Sequence, residues 1–142
     1  MTMRVTLSKV GPAAFEAEGG SGGKLVVDGA PSMGGEGRGM RPMELLLAAI
    51  ASCSAMDVVA ILKKQREPLE DLRIEIEGER AEGVPAPFTH MKLIFIARGA
   101  VDEHKLKRAV TLSVEKYCSV RATLAPHVEV RFEARLEAGD GS

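Results

Sequence analysis

The 142-residue chain has two cysteines, Cys53 and Cys118, and they are the side chains best suited to covalent chemistry. A thiolate is a nucleophile. An oxidised cysteine is recovered simply when a second thiol lies within reach to close a disulfide. Cys53 sits in the most apolar stretch, "MELLLAAIASCSAMDVVAILKK" (43–64). In mid-helix the dipole gives its thiolate little help, and Asp57, four residues on, shares its face and opposes ionisation. Cys53 therefore needs a cation from elsewhere in the fold. Cys118, in "EKYCSVRATL", stands beside the start of a short predicted helix with Arg121 three residues on. Local physics makes Cys118 the easier thiolate. The plain alternative is that both are buried and inert, as most cysteines are.

Other chemistries find less support. His90, His104 and His127 are scattered, without the close pairs that zinc ligation prefers, so no structural metal site is expected. No local motif supports a Cys–His–acid nucleophile. "GEGRG" in the glycine-rich segment 29–41 has the look of a phosphate loop, but no G-K-[ST] follows. A net charge of −1, scattered basic residues, one tyrosine and no tryptophan argue against a nucleic-acid partner. The N-terminus reads as a strand, not as a secretory leader. The apolar stretch is interrupted by Ser52, Cys53, Ser54 and Asp57 and is followed by Lys63 and Lys64, so it reads as a buried helix and not as a membrane span. A cytoplasmic location is the expectation, where a structural disulfide would be rare.

The elements that must position the cysteines are legible in outline. Alternation predicts short strands over 4–10, 13–19 and 24–29, the last two flanking the turn "GGSGG". A helix starts at Pro42, a residue suited to a first helical position, and runs to about Gln65. Its first half is apolar on every face and needs cover all round. Strands over 72–79 and 88–98 form a hairpin across "GVPAP". A second helix spans 102–116, its core stripe made of Leu106, Ala109, Val110, Ser113 and Val114. Ser119 caps a short helix over 120–124, and a last strand covers 127–137. The order predicts one α+β domain over residues 1–142, with an antiparallel sheet packed on helices. Cover for the first helix is expected from a second copy in a symmetric dimer.

"RPMELLLAAIASCSAMDV" followed by "EKYCSVRATL" resembles the OsmC/Ohr family of osmotically induced and organic-hydroperoxide-resistance proteins. The "PME" helix start, the "CSAMDVV" continuation, the "FTH" strand start and the "EKYCSV" turn are most similar to its YhfA-like branch. The likeness covers the chain from about Arg4 to Phe132. It implies an OsmC-like intertwined homodimer, long central helices wrapped by antiparallel sheets, with the sites at the dimer interface. It also implies a cofactor-free peroxidase acting in oxidative or osmotic stress. Cys53 would attack an organic hydroperoxide and become a sulfenic acid, and Cys118 would close the disulfide. An external dithiol, such as a lipoylated protein, would then reduce the pair.

Two positions depart from the family's pattern. The peroxidase branches carry a glutamate ten residues before the first cysteine; here that position is Met43, and Glu44 is one residue late. Nine residues of straight helix put Glu44 about 13 Å along the axis from Cys53 and on the opposite face. Glu44 is then either an orienter of the activating arginine, acting on the other subunit's site, or a stabiliser of the helix start. That arginine is unassigned: Arg38 and Arg41 lie in the loop before the helix, and Arg4 and Arg80 are further candidates. Two rival functions stay open: a non-catalytic dimer that binds a small apolar ligand, and a thiol–disulfide exchange protein.

Overall fold

The computed structural model describes residues 1–137. Within the span read as one domain, two compact units separate at Leu46 and Leu47.

The first unit carries strands β1 (Val5–Lys9), β2 (Phe15–Gly19) and β3 (Lys24–Val27) in an antiparallel meander. The glycine-rich segment after β3 is held by Asp28, which is almost fully buried. Its carboxylate accepts from the backbone N–H groups of Gly29, Glu36 and Arg38, at 2.8, 2.9 and 3.1 Å. Those donors hold the Asp28 carboxyl below its ordinary value, the Glu36 N–H contributing most. Two glycines are required by close backbone crossings: a Cβ at Gly35 would lie 1.7 Å from the Gly29 carbonyl oxygen, and one at Gly39 would lie 2.0 Å from that of Val26. The resemblance of this segment to a phosphate loop thus has a packing origin.

Helix α1 (Pro42–Lys64) begins in the first unit and continues into the second. Its start is held by Glu44, whose Oε1 accepts from the Arg41 backbone N–H at 3.0 Å, one half of a capping box. Its end is closed by Arg66 at φ 57°, with the Glu67 N–H reaching the Leu62 carbonyl at 2.9 Å. That is a Schellman closure with arginine where glycine is usual, and Pro68 follows. Only Ile50, Ser54, Val58 and Leu62 of α1 are buried, a single stripe at i, i+4 spacing. Met56 and Val59 stand exposed. By length and composition α1 could cross a bilayer, a test that core helices of soluble proteins also pass.

In the second unit β4 (Leu69–Arg80) and β5 (Phe88–Gly99) form the expected hairpin, with Leu72, Ile74 and Ile76 paired to Ala97, Phe95 and Leu93. Helix α2 (Glu103–Leu112) follows, capped by the Asp102 carboxylate, which accepts from the Lys105 N–H at 2.9 Å. A wide turn over Ser113–Tyr117 leads to α3 (Ser119–Thr123) and β6 (Glu129–Glu137). β6 pairs with β5 in parallel, His90 opposite Glu129 through Arg98 opposite Glu137. This corrects the expectation of an antiparallel sheet. The helical segment crosses the sheet and returns the chain to the end where β5 began, so the next strand runs alongside it.

The core of this unit joins Leu93, Phe95 and Ala97 of β5 to Leu106, Ala109 and Val110 of α2 and to Val58 and Leu62 of α1. Each large side chain contributes about 1.5–3 kcal/mol by burial. Truncating the fully buried Leu106 to alanine would cost about 2–5 kcal/mol.

Candidate redox site

The two cysteines meet between α1 and the start of α3. Both are free thiols; Cys53 is half-buried and Cys118 is buried. The wide turn before α3 explains how Cys118 gets inside. The Cys118 N–H bonds to the Ser113 carbonyl, five residues back, at 2.8 Å, which is π-helical spacing. The enlarged turn leaves Tyr117 half exposed while the next residue, Cys118, points inward at 3% exposure.

Cys118, not Ser119 as the sequence led one to expect, is the N-cap of α3. Its sulfur accepts from the Arg121 backbone N–H at 3.3 Å and from the Ser54 hydroxyl at 3.4 Å. Cys53 lies near enough to interact electrostatically with the same sulfur. Burial pushes the Cys118 thiol above its ordinary value, and Cys53 adds to the rise; the Ser54 and Arg121 donors only partly offset it. Burial, not the local donors, therefore sets the Cys118 thiol. The local features that favour its anion are present, but desolvation outweighs them.

Two residues that sequence reasoning passed over hold this arrangement. Ser54, fully buried, donates to Cys118. Ser113, also fully buried, donates to the Ser54 carbonyl at 2.9 Å, with Asp57 Oδ2 a longer alternative acceptor at 3.4 Å. The pair clamps the wide turn onto α1 at the residue next to Cys53. A signal was present in the sequence. A hydroxyl on an apolar helical stripe must find a partner inside the fold, and Ser113 lies on one such stripe.

The remaining candidates have contacts of their own. Glu44 caps α1 through the Arg41 backbone. Arg38 Nη1 donates to the Val10 carbonyl at 2.6 Å. Arg80 Nε donates to the Ala86 carbonyl at 2.8 Å, closing its own hairpin turn. Arg4 offers its carbonyl to Gly20. Within residues 47–137 no cationic side chain hydrogen bonds to either sulfur.

A cavity of about 280 Å³ opens beside Cys118, with Val114 and Phe132 as apolar wall and Lys116, Arg121 and Glu115 as charged lining. A second cavity, about 340 Å³, is lined by Glu77, Glu79, His90, Lys92, Glu129 and Arg131 and contains neither cysteine. Within it Glu129 stands 3.2 Å from His90 Nε2 and accepts from Arg131 Nε at 2.8 Å. Among the described residues no three His, Cys, Asp or Glu side chains gather to hold a metal ion.

Comparison with known proteins agrees with this architecture. Residues 35–133 match the model of the family described as OsmC-like protein. Protein YhfA of Escherichia coli (strain K12) is 37% identical over 142 residues, covering 96% of this chain and 99% of that protein. A hypothetical protein from Aquifex aeolicus VF5 of known crystal structure is 36% identical, with a TM-score of 0.80 over 96% of this chain and 98% of its own. The organic hydroperoxide resistance protein OhrB of Bacillus subtilis shares the fold at 20% identity, with a TM-score of 0.67 over 95% of this chain and 98% of its own. The chain belongs to the OsmC-like protein family.

Proposed function

We propose that this protein is a cytoplasmic thiol peroxidase that reduces organic hydroperoxides through Cys53 and Cys118. The observation that carries the reading is the closeness of two free thiols, one half-buried and one buried, near enough to interact electrostatically. The Cys53 thiolate attacks the outer peroxide oxygen. The O–O bond breaks, the alkoxide leaves and takes up a proton as the alcohol, and Cys53 is left as a sulfenic acid. The Cys118 sulfur, having lost its proton, attacks the Cys53 sulfur; water departs and the disulfide closes. An external dithiol returns both thiols, giving up two electrons and two protons as it is oxidised to its own disulfide.

Burial supports this division of roles. The more accessible sulfur meets the peroxide, and the desolvated one waits protonated until its partner is oxidised. Glu44 serves by fixing the start of α1, and with it the backbone of Arg41, one of the loop arginines proposed to stabilise the Cys53 thiolate. The exposed Met56 and Val59 on α1 support a homodimer in which a second copy covers that helix.

The test is a thiol count. One equivalent of cumene hydroperoxide should remove two free thiols per chain and yield one equivalent of alcohol, and Cys53→Ser should abolish turnover. Survival of both thiols in excess peroxide would remove the enzymatic reading.

A further inference from the structure

We infer that the thiol which reduces the disulfide enters through the cavity beside Cys118 and carries a carboxylate. The inference rests on the disulfide cycle proposed above and adds the side of attack and the chemical class of the reductant.

Three features of the cavity carry it. First, Cys118 forms part of the wall, which makes this cavity an approach to the buried thiol. Second, the lining holds two cations, Lys116 and Arg121, and one acid, Glu115. Neither cation has a carboxylate partner among the described residues. The Lys116 ammonium instead stands 5.4 Å from the Tyr117 ring centroid. A mouth with excess positive charge attracts anions and stabilises a thiolate. Third, Val114, Val130 and Phe132 make the rest of the wall apolar. Apolar surface beside unpaired cations suits a short hydrocarbon stem with an anionic end. At about 280 Å³ the space fits a small thiol and not a large cofactor.

The chemistry favours the same direction of attack. A thiolate reacts faster when the departing sulfur is the better leaving group. Burial makes Cys118 a poor one. The incoming thiolate therefore bonds to Cys118 Sγ, the S–S bond breaks, and Cys53 leaves as the thiolate and is protonated. The reductant's second thiol then attacks the incoming group's sulfur, releasing Cys118 and the reductant as its disulfide; for a monothiol probe a second molecule takes this role. Two thiols are oxidised and one protein disulfide is reduced.

The experiment begins from protein oxidised with diamide, so that no peroxidase activity is needed. Its disulfide is reduced with 3-mercaptopropionate or with methyl 3-mercaptopropionate, and rates are compared per thiolate. The carboxylate form should be about five-fold faster at low ionic strength, with the advantage fading as salt is added. Lys116→Glu with Arg121→Glu should reverse the preference. Lys116→Gln with Arg121→Gln, a milder pair, should reduce it to near unity. Rapid acid quenching and mass analysis should find the mixed disulfide on Cys118. Equal rates for the two thiols, a preference that survives both variants, or an adduct on Cys53 alone would overturn the inference. Should diamide join the sulfurs while cumene hydroperoxide leaves them untouched, the peroxidase reading fails and the entry route stands on its own result. Failure of diamide to join them would remove both.

Discussion

Asp28 and Cys118 are two acids buried by the same chain, and the fold treats them in opposite ways. Both accept backbone N–H groups from the residues that follow them. Asp28 takes three such donors and is held below its ordinary value; Cys118 takes one backbone donor and one hydroxyl and is pushed above its own. The lesson concerns numbers and strength. A carboxylate with three short donors is compensated for lost water, whereas a sulfur with two contacts of 3.3 and 3.4 Å is not. The first acid is fixed as an anion and organises a loop. The second is kept neutral and available for chemistry.

The largest expected effect comes from breaking the Asp28 side of this pair. Asp28→Ala strands three amide groups, and the Glu36 and Arg38 amides should exchange with solvent roughly a hundred-fold faster by NMR. Unchanged protection would mean that the carboxylate does not organise the loop.

Next comes Ser54→Ala, which removes the side-chain donor to Cys118 and drives the thiol further up. In a Cys53→Ser background, alkylation of Cys118 by iodoacetamide near pH 8.5 should slow by about 3–10-fold. A faster reaction would show that the hydroxyl shields the sulfur and does not stabilise its anion.

Stability against pH sharpens the contrast, because the two groups act at opposite ends. Asp28 is depressed, so its contribution is present above the ordinary 3.8 and is lost as pH falls through the lowered folded value. Cys118 is raised, so its contribution is complete below the ordinary 9.0 and is lost as pH climbs toward the raised folded value. Urea midpoints should therefore fall at both extremes. Asp28→Asn should flatten only the acid side, and Cys118→Ser only the alkaline side.

The smallest effect lies away from both groups and serves as a control. Arg66 holds φ 57° at the end of α1, and Arg66→Gly should raise stability by about 0.5–1 kcal/mol in urea without altering either of them.

The sequence was most informative where one face of an element is buried and the other is wet. Leu72, Ile74 and Ile76 alternate with charges, and the hairpin of β4 and β5 follows directly. It was least informative where the same pattern serves two geometries. Val130, Phe132 and Ala134 of β6 pack equally well in a parallel or an antiparallel pairing, and direction is decided by the helical crossover before them. The cysteines were visible as candidates, but their environment was not. The π-spaced turn that swings Cys118 inward adds a single residue to a helix and leaves no compositional mark. Glu44 illustrates the same limit: its offset from Cys53 was plain in the chain, yet the carboxylate's acceptor role toward the Arg41 backbone emerges only from the folded helix start.

Cys118 does one thing more by standing where a serine or aspartate would normally cap a helix. Its sulfur is the acceptor that ties down the Arg121 amide and so the opening turn of α3. Any reaction that draws this sulfur away unfastens a five-residue helix at its first knot. Oxidation state is thereby written into local backbone order, where the Arg121 amide signal can read it without any probe attached to the thiols.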